Sequence, residues 1–288
     1  MSLELSEVTI KNVLTRTTGF LKTVTSHSLQ PYRGCPLGNS LSGVGCYVQH
    51  NGHVLKGRRW GSFLEVRTNA AESYAENYER EKRWAQRNTA NQRFSIFMSS
   101  ATEPFLPQEA RYQVTQRILE AMLAQPPDEL VVQTHTHRVT RALPTLSELN
   151  SRSQLRVHVS IETDRDGMPD LPPHASSVDQ RFDACQQLRA AGIRTIVTVS
   201  PLLPIEDPLK FFSRIAEVAD AVVIDHFVEG DGSSDGHRTA KTRLPSSIQM
   251  IDAAALHLDY RDRIVSIAKS HIAEVGVNID GFAGRLLT

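Results

Sequence analysis

The chain has 288 residues, of which 40% are hydrophobic and 22% charged, a globular composition that excludes a largely disordered protein. Its 32 Lys and Arg balance 32 Asp and Glu, so no net charge draws the whole molecule to nucleic acid or to an acidic membrane. No apolar run approaches the roughly 18 residues of a membrane span, the Met-Ser-Leu-Glu start carries no basic or apolar leader, and three cysteines make no disulfide framework. These features predict a cytoplasmic protein with no membrane partner.

In chain order, a strand is expected near residues 23–29. A loop follows in which Gly34, Gly38, Gly43, Gly45 and Gly52 crowd together, with no charged residue between Arg33 and Lys56 and with two of the three cysteines, Cys35 and Cys46. Such a loop lets backbone approach a ligand closely and offers bare N–H groups to an anion. Residues 94–99 read as a buried strand. Val114, Ile118, Leu119, Met122 and Leu123 then fall at helical spacing within 108–124. After Pro126 and Pro127 come a strand at 130–134, a short helix at 140–150 broken early by Pro144, and a strand at 155–161 with period two. A helix at 177–191 has Ser176 or Ser177 as N-cap and Gly192 as its stop signal. A strand at 195–199, a helix at 208–219 and a strand at 221–224 continue the pattern. Residues 229–243 read as one exposed loop over or near the site, and 247–270 as a long final helix with a break.

Strands alternating with helices of this length make βα units and a parallel sheet. No GxGxxG follows a strand and no Walker-type lysine loop occurs, so a nucleotide-binding sheet lacks its usual support. The strands instead end in polar residues: Ser99 and Ser100, Thr134 and His135, Ser160, Ser200, Asp225 and His226. Polar groups gathered at carboxyl ends of parallel strands are the habit of barrels. The expected fold is α/β, a partial (β/α) barrel of the TIM type.

Two readings of these strand ends differ in chemistry. In the first, His135 and His137 lie two residues apart, and a strand extended that far would aim both at one Zn²⁺, with His158, Asp225 and His226 completing a metal hydrolase site. That reading leaves the glycine loop and its cysteines unused.

The second begins at the loop. Tyr32-Arg-Gly-Cys35, a glycine-rich turn and Cys46-Tyr47-Val48 resemble the cluster loop of radical S-adenosylmethionine (radical SAM) enzymes, particularly relatives of spore photoproduct lyase. The resemblance continues in order through Val66-Arg-Thr-Asn69, Ser99-Ser-Ala-Thr102-Glu-Pro, Thr134-His-Thr136 and Ser160-Ile-Glu-Thr163. It extends through Pro173-His-Ala175 and Arg181 to Ala191-Gly192-Ile193 and Pro201-Leu-Leu-Pro204, covering roughly residues 14–225. It implies one domain over 1–288, with the cluster loop at about 33–50, the barrel core at about 23–228 and a C-terminal helical extension at 246–288. It also implies a 4Fe-4S cluster and S-adenosyl-L-methionine (SAM) as cofactors, an enzyme that generates a 5′-deoxyadenosyl radical, and an electron donor such as a flavodoxin or ferredoxin.

By matched position, Cys35 and Cys46 would ligate iron. Ser99, Ser100, Thr102 and Glu103 would hold the amino group of SAM. Thr134 stands at a strand end of the cofactor site, Ser160 and Glu162 would hold its ribose or carboxylate, and Tyr47 would lie against its adenine. The family's common loop is Cys-x3-Cys-x2-Cys, and here one cysteine is missing. Ser42 is the candidate for the vacated position, with His50 and His53 as other possible ligands, while Cys185, on the apolar face of a helix, reads as a core residue. His135 stands where the family tends to have lysine. A degenerate scaffold that binds ligands without an intact cluster is the alternative. The family's namesake acts on a thymine lesion in DNA, and Lys56-Gly-Arg58-Arg59-Trp60 places cations beside an aromatic, so nucleic acid is one expected substrate, with a lyase or repair-type reaction. The similar run at Arg80 to Trp84 is interleaved with Glu76, Glu79 and Glu81 and reads as a solvated helix face.

Overall fold

A computed structural model describes residues 3–286. Its strands are β1 (Glu4–Val8), β2 (Leu14–Arg16), β3 (His27–Leu29), β4 (Tyr32–Arg33), β5 (Phe63–Arg67) and β6 (Ser95–Met98), then β7 (Glu129–Thr134), β8 (Gln154–Ser160), β9 (Arg194–Val199), β10 (Ala221–Ile224) and β11 (Val275–Val277). Eight of them form one sheet in the order β11-β10-β9-β8-β7-β6-β3-β2, parallel throughout except for the antiparallel edge pair β2 and β3. The two ends of that order do not meet, so the expected partial barrel is what forms. A small second sheet, β1-β5-β4, seats the start of the glycine loop: Tyr32 and Arg33 pair with Val66 and Glu65 two residues before Cys35.

Period-two alternation sorts the barrel strands onto two faces. Ile96, Met98, Leu130, Val132, Val157, Val159, Val197, Val222 and Ile224 belong to the large core under the helices. Their neighbours Phe97, Val131, Ile196, Ala221 and Val223 form a separate inner cluster. The helices follow their predicted amphipathic stripes. Ser177 caps Val178–Ala190 with a full capping box to Gln180, and Gly192 takes φ +72° just past its end.

Two expectations are corrected and a third is borne out. The helix predicted over 108–124 breaks at Gln113, because the Glu109 carboxylate accepts from Thr115 and Gln116 N–H and starts Val114–Ala124 afresh. The break expected in the final helix is present: Leu244–Ile251 and Leu258–Lys269 are parted where Asp252 accepts from Ala254 N–H in a capping turn. The helical extension also contains β11, which adds to the sheet beside β10, and its following turn delivers Phe282 to the inner cluster against Phe20 and His158. Among the described residues, no helix is long and apolar enough to cross a membrane.

Candidate active site

The carboxyl ends of β6, β7, β8 and β10 and the glycine loop enclose a cavity of about 430 Å³. Cys35, Ser42, Cys46, Tyr47, Ser99, Ser100, Thr102, Glu103, His135 and Ser160 all line it. Thr134 and Glu162 are fully buried just behind this lining and act on it through hydrogen bonds.

The two thiols are close enough that a charge on Cys46 acts on Cys35. Burial pushes the Cys35 thiol up to about 12 and the Cys46 thiol up to about 11, so each keeps its proton unless a cation compensates. The loop between them is tightly folded. A Cβ on Gly43, which stands where an x2 spacing to Cys46 would place a cysteine, would lie 2.1 Å from the Leu37 carbonyl oxygen. Ser42, one residue earlier, is accommodated, and its Oγ donates to Glu162 Oε1 at 2.9 Å.

Glu103 accepts from Thr134 Oγ1 at 2.6 Å, His135 N–H at 2.7 Å and Phe105 N–H at 3.0 Å. Burial raises its carboxyl above the usual range, against the pull of His135 and these donors. Glu162 is the opposite case. Burial works against its charge, but the Arg181 guanidinium and the hydrogen bond from His135 hold it well below the usual carboxylate range. Tyr47, 43% exposed, donates its hydroxyl to the Ser100 carbonyl.

The remaining candidates are dispersed. β7 ends at Thr134, so His135 and His137 do not share a strand face: His135 Nδ1 meets Glu162 at 3.1 Å and His137 Nδ1 meets Ser176 at 2.8 Å. His226 is engaged by the Ala255 carbonyl and Val228 N–H, and His158 lies on the inner face between Phe97 and Phe282. His50 and His53 do not line the cavity. Among the described residues, no group of three or more His, Cys, Asp or Glu is placed to hold a metal ion, and the metal-hydrolase geometry is absent. Cys185 is fully buried in the helix core, away from the cavity. Residues 229–243 are less exposed than expected. Asp231 is buried, accepting from Ser233 and Thr239 N–H, and Gly230, Asp231 and Gly232 line the cavity.

Some lining residues carry no motif. Gln133, Asp225, Phe20, Phe97 and Phe282 face the same cavity. The signal for Gln133 and Asp225 is parity: each is the polar residue two positions after an inner-cluster valine, Val131 or Val223.

Solved structures of spore photoproduct lyase match this architecture. One complexed with dinucleoside spore photoproduct superposes with a TM-score of 0.64 at 16% identity, and one with bound AdoMet and that compound at 0.62 and 15%. Each match covers 95% of this chain and 81% of the other. The fold is that of spore photoproduct lyase.

In sequence, the chain is 28% identical over 207 residues to a protein of a Pseudomonas phage named radical SAM Nalpha-GlyT isomerase, covering 69% of this chain and 39% of that one. The chain therefore spans about two fifths of the isomerase's length. It is 21% identical over 234 residues to an uncharacterized protein of Methanocaldococcus jannaschii, covering 81% of this chain and 83% of the relative. No family model matches. The radical SAM resemblance read from the loop and strand ends thus agrees with the fold.

The donor set can be weighed against the cofactors this fold implies. For SAM the fit is good. The cavity is lined by Glu103, Asp225, Glu229 and Asp231 and, among the described residues, by no Lys or Arg, which suits a sulfonium and an ammonium. For the cluster, Cys35 and Cys46 supply two thiols at one wall. Ser42 supplies a hydroxyl beside them, but its proton is committed to a carboxylate too weakly basic to remove it.

Proposed function

We propose that the chain is a radical SAM enzyme of the spore photoproduct lyase-like group. Cys35 and Cys46 would hold a 4Fe-4S cluster, with Ser42 at the position of the missing cysteine. Bound together, cluster and SAM supply one-electron cleavage of a carbon–sulfur bond and so a 5′-deoxyadenosyl radical. The observation that carries the reading is that both thiols and the strand-end hydroxyls line one cavity over parallel strands.

The chain's own residues bind, orient and exclude water. Glu103, fixed by three donors, presents a carboxylate edge to an ammonium, with Ser99, Ser100 and Thr102 beside it. His135, steadied by Glu162 through Nδ1, takes the place of a lysine opposite a carboxylate, and Ser160 offers its hydroxyl to a ribose. Tyr47 flanks the mouth, where it suits a planar base. Phe97 and Phe282, both buried, line the inner side and keep water from a reactive intermediate.

A reductant of the flavodoxin or ferredoxin type would supply the electron. The substrate reading is a nucleoside-containing molecule in a lyase or repair-type reaction, supported by the dinucleoside in the lyase complexes.

The test is iron and sulfide analysis after anaerobic reconstitution, with SAM calorimetry on the same samples. Cluster loading abolished in Cys35→Ala and Cys46→Ala, and SAM affinity weakened in Ser100→Ala and Glu103→Ala, are the expected results. A protein that binds neither iron nor SAM is a degenerate scaffold, and the proposal fails.

A further inference from the structure

The inner side of the cavity holds polar atoms that no protein group satisfies. Asp225 is 6% exposed; its Oδ2 accepts from Ser200 Oγ at 2.9 Å, while Oδ1 is buried without a partner. Gln133 spends Nε2 on Ser160 Oγ at 2.8 Å and Thr198 Oγ1 at 3.0 Å, which leaves Oε1 buried and unpartnered. Buried acceptors left bare are costly and infrequent in folded proteins, and two of them on residues that line one cavity mark where a ligand's donors belong.

A Cβ on Gly230 would lie 2.6 Å from Asp225 Oδ1, so the loop backbone passes close against this carboxylate. Burial pushes the Asp225 carboxyl up to about 6, which still leaves it ionised at pH 8. The same cavity also has an aromatic lining, from Phe20, Phe97 and Phe282. Carboxylate and amide oxygens accept and cannot donate. A phosphate or carboxylate placed here would meet like charge in a low-dielectric site, whereas an N–H or O–H donor on a flat apolar body would satisfy both features.

We propose that this inner layer is a substrate subsite for a ring carrying N–H or O–H donors, with Asp225 the residue that selects donors against anions and Gln133 the second acceptor. The proposal rests on the radical SAM reading and deepens it by naming the substrate class of the same cavity, while Asp225 and Gln133 are not among the residues assigned to the cluster or to SAM. Any anionic part of the substrate, such as a phosphate, then lies outside this layer.

The experiment uses the full chain at pH 8 and two ring compounds of equal shape, benzamidine with a donor fork and benzoate with an acceptor fork. Wild-type protein is expected to bind benzamidine about tenfold or more tightly than benzoate, and Asp225→Asn to remove most of that preference, the effect of one charge-assisted hydrogen bond. Gln133→Met is expected to weaken benzamidine by a smaller factor. Crystals of the wild-type protein soaked with benzamidine give a readout that needs no variant: the amidinium should lie on Asp225. Equal affinity for the two compounds, an amidinium bound elsewhere, or a folded Asp225→Asn with unchanged preference would overturn the proposal. SAM calorimetry on the reconstituted protein reports separately. If SAM does not bind while benzamidine still seats on Asp225, the cofactor reading fails and the subsite stands.

Discussion

Arg181 Nη1 meets Glu162 Oε2 at 2.6 Å with neither side chain exposed to solvent. The same nitrogen donates to the Ser160 carbonyl at 2.8 Å, so one guanidinium ties the helix Val178–Ala190 to the strand end that lines the cavity. Through Glu162 it also sets Ser42 and His135, which donate to or meet the other carboxylate oxygen. A buried pair of this kind is weak evidence of net stabilisation, but breaking it strands a charge.

Arg181→Met is therefore expected to cost about 3–5 kcal/mol in urea unfolding, and Arg181→Met with Glu162→Gln distinctly less than the single change. A single variant within 1 kcal/mol of the native protein, as an exposed pair would give, counts against the buried-charge argument.

For Cys185, buried in the helix core, Cys185→Ala should lower stability by roughly 1–2 kcal/mol and leave reconstituted iron unchanged. Iron loss in that variant would mean that the third thiol had been misassigned. Equilibrium unfolding and iron analysis on one preparation check both halves.

The partial barrel was legible because its signals are long-range and redundant. Alternating strands such as 155–161, amphipathic helices and the capping residues Ser177 and Gly192 agree with one another. β11 was not legible, since Val-Gly-Val is too short for periodicity and becomes a strand only because β10 offers it an edge. Within the candidate site, Cys35, Cys46 and Glu103, singled out from their motifs, all line the cavity. Gln133, Phe97 and Phe282 were missed because inner-face parity appears only once register is known, and Phe282 arrives from the far end of the chain. The histidine pair failed for a local reason. β7 stops at Thr134, and each ring then finds its own partner.

The raised carboxyl of Asp225 makes a pH prediction whose sign follows from proton linkage. Its usual value is 3.8 and burial in the folded protein moves it to about 6. Below 3.8 both folded and unfolded states hold the proton and burial carries no charge penalty. As pH rises through about 6 the folded state must ionise a buried group, and roughly 3 kcal/mol of stability is lost by pH 8. Asp225→Asn escapes that loss, so it should melt higher than the native protein at pH 8 and no higher at pH 4. Calorimetry at the two pH values decides. A variant equally stabilised at both would show that packing, and not the carboxylate charge, is responsible.

The cluster wall supplies the last prediction. Ser42 lines the cavity with Cys35 and Cys46, but its hydroxyl proton is held in a 2.9 Å hydrogen bond to Glu162 Oε1. Glu162, kept ionised chiefly by Arg181 against its burial, is too weak a base to take that proton. A thiol loses its proton far more readily beside iron than a hydroxyl does, and is the softer ligand. Gly43 cannot serve in its place, because any side chain there meets the Leu37 carbonyl. Ser42→Cys is accordingly expected to raise iron per chain and the yield of 5′-deoxyadenosine under reducing conditions, while Ser42→Ala lowers neither by much. Full cluster occupancy in the native protein, lost in Ser42→Ala, would instead make the serine a working ligand. No gain from Ser42→Cys in a protein that takes up little iron would mean that the loop does not bring residue 42 to the cluster face, and the degenerate scaffold would then be the better account of this fold.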